Sequence, residues 1–421
     1  MNKQPVVVSL FSGAGGLDVG LENAGFQVAL CLDNDPVAIG TLKHNQAKGV
    51  VRPDGRRYLA ETTILQEDIA QLTEARLRAT LRHDEVDLLV GGPPCQPFSS
   101  AGKMLGFFDP RGELFSHFAR VAAELKPRYV LFENVRGLAT ARGYDAQPGS
   151  ALREVLRRFE NLGYYTNVAL LNAADFGAYQ RRVRLFILMC RGATPPEFPP
   201  PTHFDPERWS PELSLFGEEG GVLPWRTLGD FLAGRSAPPT EEWVRPSPRL
   251  AALLRDLPEG SGLKSAGTIE TTRPGGHWGY KQGTFIADSK RPARTITAAS
   301  TQDWVRTTSG ECRRLTVAEC KELQGFPVEW EFLGPRAAQY RQIGNAVPAV
   351  FGEVLGRAIH DHRCQRRRTR FVETGAKSFP LPLQIVAAIR YTEREEARNG
   401  ESRRLKAAKG LGSASTGAGG D

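Results

Sequence analysis

Several short stretches of this 421-residue chain carry side chains able to do chemistry. The first is "GGPPCQPFSS" (91–100). The run before it, "VDLLVGG" (86–92), reads as a buried strand closed by two glycines. Pro93 and Pro94 then stiffen the backbone and remove two amide donors. Cys95 therefore stands on a rigid turn at the carboxyl end of a strand, where open α/β sheets gather ligands. Such a thiol is either a nucleophile or a buried structural cysteine. Glu133, in "LFENV", ends the next strand, so two neighbouring strand ends can present a thiol and a carboxyl to one ligand. A buried glutamate there pairs with an arginine or keeps its proton. A protonated acid beside a nucleophile suits activation of a ring, because it donates to a ring nitrogen as the thiolate attacks.

Three further stretches add binding groups. "YQRRVRLF" (179–186) alternates Gln180, Arg182 and Arg184 along one face of a strand. Two guanidiniums on one face meet anions, carboxylates or a polar ring, or else form a solvated edge. "FSGAGGLDVG" (11–20) puts Gly13, Gly15 and Gly16 at a helix N-terminus, open to close approach of a ligand. Asp33, about twenty residues on, can accept both hydroxyls of a ribose. This pair indicates an adenosine-containing cofactor, with NAD and FAD equally open. Asp68 in "QEDIAQL" either accepts an adenine amino group or caps a helix. Asn345 in "YRQIGNAVP" (340–348) reads as the cap of the apolar helix that follows it.

The elements that must position these residues alternate in type. Strand-like runs at 6–11, 27–33, 86–91, 129–135, 164–172 and 182–189 are separated by helical patterns at 15–24, 36–46, 71–82, 113–125 and 149–161. This βα alternation predicts a mostly parallel sheet covered on both faces, an α/β fold over residues 1–190. Residues 191–288 are rich in proline and glycine and predict a loop-rich second domain. Helical pattern returns at 314–326 and 346–362, within a 289–362 segment that rejoins the first domain. Residues 363–421 open with "RCQRRRTR" and end in low-complexity "GLGSASTGAGGD", predicting a basic, partly disordered tail.

Composition narrows the function class. Hydrophobic content of 40% with 24% charged residues is that of a soluble globular protein. A net charge of +8 favours a polyanionic partner. Six scattered cysteines without CxxC pairs argue against a zinc site or a disulfide framework and fit a reducing compartment. Glycines and Asp18 interrupt the apolar start, so the reading is a cytoplasmic protein without a signal peptide or membrane spans.

With these residues assembled, the chain resembles the DNA (cytosine-5)-methyltransferases. The resemblance rests on FxGxG, the second-strand acid, Asp-Ile, PPCQPFS, RGELF, ENV, QxRxR, RPxRTIT, RxLTxxExxxLQGFP and QIGNAVP, in this order. It covers residues 5–190 and about 290–355. It implies a Rossmann-like class I methyltransferase sheet, with residues 191–288 as a target-recognition domain and a mobile loop at about 97–112. It assigns Cys95 as nucleophile and Glu133 as the acid at cytosine N3, with Arg182 on the cytosine side and Gln180 and Arg184 supporting that strand. Phe11, Gly13, Gly15, Gly16, Leu17, Asp33, Asn34, Asp68, Ile69, Pro94, Leu114, Asn345 and Ala346 would line a pocket for S-adenosylmethionine, with no metal required.

The implied substrate is a cytosine flipped out of a short, palindromic site in double-stranded DNA. The implied enzyme is a bacterial monomer, associated with the nucleoid through DNA, with a restriction endonuclease as genetic partner. The sequence departs from the pattern in using Asp33 where glutamate is more usual, and in the insertion at 47–60. Three other readings stand beside this one: a tRNA cytosine methyltransferase on the same fold, a nicotinamide-dependent oxidoreductase, and a non-catalytic DNA-binding regulator. The oxidoreductase would leave Cys95, Glu133 and the arginine strand unexplained, and the regulator has no need for both Cys95 and Glu133.

Overall fold

The apolar runs pair into one seven-stranded sheet. Its strands are β1 (Val6–Leu10), β2 (Gln27–Asp33), β3 (Thr63–Gln66), β4 (Leu88–Gly91), β5 (Tyr129–Val135), β6 (Tyr164–Asn172) and β7 (Val183–Arg191), in the order β3-β2-β1-β4-β5-β7-β6. The computed structural model describes residues 4–83, 85–94, 113–207, 222–263, 269–271, 284–368, 377–395 and 398. β1 to β5 pair in parallel, as their alternation with helices demands. β7 runs antiparallel to both β5 and β6. Only residues 173–182 separate β6 from β7, too short a link for a helical crossover.

Period-2 patterning splits the core in two. Val7 of β1 and Cys31 of β2 face one side. Val6 and Val8 of β1 with Leu30 and Leu32 of β2 face the other. The first face is covered by α1 (Gly16–Asn23), α2 (Pro36–Lys48) and, from the far end of the chain, α10 (Ala349–Arg368). The second is covered by α3 (Glu74–Thr80), α4 (Glu113–Leu125) and α5 (Ser150–Glu160). α1 and α10 cross with their backbones touching: a Cβ on Gly20 would lie 2.0 Å from the Ala349 carbonyl oxygen. That contact brings residues 344–347, just before α10, against the first glycine-rich turn.

The middle of the chain forms small elements: β8 (His203–Phe204) with β9 (Leu223–Pro224), α6 (Leu228–Ala233), α7 (Pro248–Arg255), and β10 (Ser261–Leu263) with β11 (Ile269–Thr271). The return segment adds the hairpin β12 (Trp304–Arg306) and β13 (Cys312–Arg314), then α8 (Val317–Leu323) and α9 (Arg336–Asn345). A small separate core joins Leu254 and Leu257 to Ile286 and Trp304. It therefore reaches past residue 288 into the segment assigned by sequence to the first domain.

The C-terminal region also differs from expectation. The basic run continues α10 to Arg368, and Arg363, 5% exposed, pairs with Asp87 at 2.9 Å. Residues 378–379 then cover the edge of β6, where Phe379 N–H donates to the Thr166 carbonyl (2.8 Å) and Thr166 N–H to Ser378 Oγ (3.0 Å). The following helix, 383–395, seats Ile385 and Ile389 in the second core. The described part of this supposed tail is thus part of the first domain, its apolar i,i+4 pair set in the uncharged run 378–389 between a basic segment and a charged one.

Candidate active site

The strand order reverses between β1 and β4, and a cavity of about 430 Å³ opens at their carboxyl ends. One end is built from the turn after β1. Phe11 leaves the strand at φ 56°, a conformation rare outside glycine, and lines the cavity with Gly13, Gly16 and Leu17. Gly15 stands behind that lining as the left-handed N-cap of α1. Gly13 N–H donates to Asp33 Oδ2 at 2.7 Å, and Asp35 N–H to Asp33 Oδ1 at 2.9 Å. Burial raises the Asp33 pKa, and these two donors oppose the rise. Asp35 in turn caps α2 through Val37 N–H (2.8 Å) and faces Arg341 at 3.6 Å. Asn34, Asn345 and Ala346 complete this end.

Asn345 is not the cap that its sequence suggested. It is the last residue of α9, and the next helix starts only after Pro348, at Ala349. Its place on the cavity wall comes from the break between the two helices.

The other end joins the termini of β4 and β5. Gly92, Pro93 and Pro94 line it together with Glu133, Asn134 and Val135. The two segments are in direct contact: a Cβ on Gly92 would lie 2.5 Å from Glu133 Oε2, so any side chain there would push the carboxyl out of place. Asn134 Nδ2 donates to the Pro93 carbonyl at 3.1 Å and fixes the proline turn to the strand that carries the acid. Cys95 itself lies outside the described residues, as does the loop 97–112.

Glu133 is 8% exposed, and burial pushes its pKa above the ordinary carboxylate range, against the pull of Arg184 and Arg182. Arg184 Nε lies 3.1 Å from Glu133 Oε1. Such an acid is poised to hold a proton while its pair keeps it oriented.

The three residues of the arginine motif separate in role. Arg184 faces Glu133. Arg182 lines the cavity, yet its guanidinium is engaged by backbone carbonyls: Ile296 (2.7 Å), Gly344 (2.7 Å) and Ala346 (2.9 Å). The expectation that Arg182 holds the substrate side is therefore corrected, since these bonds direct it to tie the return segment to the sheet. Gln180, fully buried, is outside the lining; its amide donates to the Leu323 carbonyl (2.7 Å) and Gln324 Oε1 (2.6 Å). Both precede β7 rather than alternating within it.

Asp68, Ile69 and Leu114 do not line the cavity. Asp68 is exposed and accepts from Ala70 N–H (2.9 Å), while Ile69 is 3% exposed in the second core and Leu114 packs against that core. Sequence reasoning passed over Asn134 and Arg341, both in the lining, and Asp18, a buried acid at its floor. Asn134 was signalled by its place beside Glu133; a single acid in an apolar helix start gives no such signal.

Comparison with known proteins agrees with this geometry. The type II methyltransferase M1.HphI of Haemophilus parahaemolyticus is 31% identical over 355 residues, covering 84% of this chain and 86% of that protein. The Escherichia coli type II methyltransferase M.Eco47II is 34% identical over 372 residues, covering 85% and 79%. The solved structure of the Entamoeba histolytica methyltransferase EhMeth shares the fold, with a TM-score of 0.58 at 15% identity over 86% of this chain and 99% of that one. The C-5 cytosine-specific DNA methylase family matches residues 6–361, and the chain belongs to it: it is a DNA cytosine-5 methyltransferase.

Proposed function

We propose that the chain methylates a cytosine flipped out of double-stranded DNA at a short specific site, using Cys95 as nucleophile and Glu133 as proton donor, with S-adenosylmethionine as methyl donor. The observation that carries this reading is the contact between the Gly92–Pro94 turn and Glu133, because Cys95 is the next residue in the chain. The cofactor end suits an adenosine-bearing donor. Asp33 faces the cavity with one backbone donor on each oxygen, which leaves lone pairs for two ribose hydroxyls. Phe11, Gly13, Gly16, Leu17, Asn34, Pro94, Asn345 and Ala346 would surround the rest, with Gly15 holding the turn from behind. When bound, S-adenosylmethionine supplies an electrophilic methyl on a sulfonium.

The protein's task is the ring. The Cys95 thiolate adds to C6 as Glu133 gives a proton to N3, which makes C5 an enamine carbon able to take the methyl. Arg184 keeps the Glu133 carboxyl oriented throughout. A water then takes the C5 proton, which expels Cys95 as the thiolate and returns the N3 proton to Glu133. The target base is stacked inside duplex DNA and must leave it first, at about a few kcal/mol, offset by contacts elsewhere on the protein. The net charge of +8 supports phosphate contact. Type II relatives support a role beside a restriction endonuclease. The test is DNA carrying 5-fluorocytosine at the target, given the methyl donor. An adduct mapping to Cys95, absent in Cys95→Ser, is expected; methyl transfer persisting in Cys95→Ser overturns the assignment, and label entering tRNA in place of DNA overturns the substrate.

A further inference from the structure

Asp18, in the first turn of α1, sits at the floor of the cavity and is 1% exposed. Among the described residues no donor closes a hydrogen bond of good geometry with either carboxylate oxygen; only the Ser9 hydroxyl, its own N–H and the Cys31 thiol pull weakly on its charge. The groups facing it are Ser9 of β1, Cys31 and Asp33 of β2, and Glu22 one turn along α1. None of them is a cation. The two other acids at this end are compensated. Asp33 receives the N–H groups of Gly13 and Asp35, and Asp35 caps α2 and faces Arg341. A buried carboxylate without a countercharge is unfavourable until something positive arrives beside it.

We propose that Asp18 selects for the positive charge of the methyl donor: its uncompensated carboxylate favours the sulfonium of S-adenosylmethionine over the neutral thioether of S-adenosylhomocysteine. The inference rests on the cofactor reading above. Asp18 does not touch the ligand in this account, because both oxygens are closed off from the cavity surface. It is a positioning residue that acts through its field, in a site where low polarisability lengthens the reach of a charge. Methyl transfer converts the sulfonium to a thioether, so the same step that completes the reaction removes the attraction. The donor is thereby held and the product released without any movement of the floor.

The experiment measures the affinities of the full-length wild type and Asp18→Asn for S-adenosylmethionine, S-adenosylhomocysteine and sinefungin, which carries an ammonium near the sulfonium position. The variant is expected to lose its preference for both cations over the thioether on the order of tenfold, with thioether affinity unchanged. Equal weakening toward all three ligands means that Asp18 supports only the fold and overturns the proposal, as does an unchanged preference. Asp18→Ser gives a second neutral variant if asparagine disturbs folding. If the wild type binds none of the three, the cofactor reading falls and takes this inference with it.

Discussion

The two ends of the cavity are assembled in opposite ways. The cofactor end is local: β1, its turn, the start of α1 and the end of β2 supply most of it from residues 9–38. The base end joins Gly92–Pro94 to Glu133 and Arg184, and is held from behind by Arg182 on the carbonyls of Ile296, Gly344 and Ala346. Binding a common cofactor needs a turn and an acid; activating a ring needs groups brought from distant parts of the chain. The ends should therefore fail separately under mutation, except where one residue serves both.

The largest separation is expected from Glu133→Gln. It keeps the shape and removes the acid, so the maximal rate of label incorporation into DNA should fall about 10²- to 10⁴-fold. Cofactor affinity should stay within about twofold, because the other end is untouched. A matching loss of cofactor binding would show that the ends are coupled through the sheet.

Arg182→Ala should break the separation. Two of its carbonyl partners, Gly344 and Ala346, belong to the cofactor end, while Arg182 itself lies two residues before Arg184. Removing it strips the Arg182 donor from the Ile296 and Gly344 carbonyls, each at about 1–3 kcal/mol if no water reaches it, while the Ala346 carbonyl keeps Gln324 Nε2 at 3.1 Å. Thermal unfolding should drop by many degrees, with both ligand affinity and rate reduced. Selective loss of rate alone would return Arg182 to the substrate-facing role read from sequence.

Asp18→Asn sharpens the comparison from the cofactor side through pH. Burial raises the Asp18 pKa from 3.8 to about 6, against weaker pulls from the Ser9 hydroxyl and its own N–H. The folded state thus binds this proton more tightly than the unfolded chain does. Its contribution to stability is complete below about pH 4 and is lost as the pH rises through 6. At pH 8 and without cofactor, the asparagine variant should be more stable by up to about 3 kcal/mol, with the difference vanishing near pH 4. Chemical denaturation at both pH values reads this; a variant less stable at pH 8 would mean that the carboxylate has a partner.

The same contrast decides what could be read from sequence. β1, β2, β4 and β5 followed from short apolar runs, and the cofactor turn from glycines and an acid one strand later, since both are local patterns. The direction of β7 required noticing that its link to β6 is short. The role of Arg182 was hidden because its partners are backbone carbonyls more than a hundred residues away, which no side-chain pattern announces. Asp68 matched a motif by type, but its carboxylate is occupied by its own turn. Asp18 registered only as a break in an apolar stretch, because burial of one acid depends on α10 packing over α1 from the other end of the chain.

The smallest effect is expected at Asn134, and it tests the base end most locally. Its side chain donates to the Pro93 carbonyl, two residues before Cys95 and one after Glu133 in the neighbouring strand. Asn134→Ala deletes one neutral hydrogen bond, worth about 1 kcal/mol, and leaves the Gly92 contact with Glu133 in place. If the bond only stabilises the fold, unfolding shifts slightly and rate constants do not move. If it sets the register between nucleophile turn and acid, the maximal rate should fall about five- to tenfold, because small misplacements at a reacting pair are amplified. Cofactor affinity should hold in either case. Single-turnover methylation beside a 5-fluorocytosine trapping rate separates these outcomes: slower adduct formation with unchanged cofactor binding places Asn134 in the alignment of Cys95, whereas normal trapping confines it to the fold.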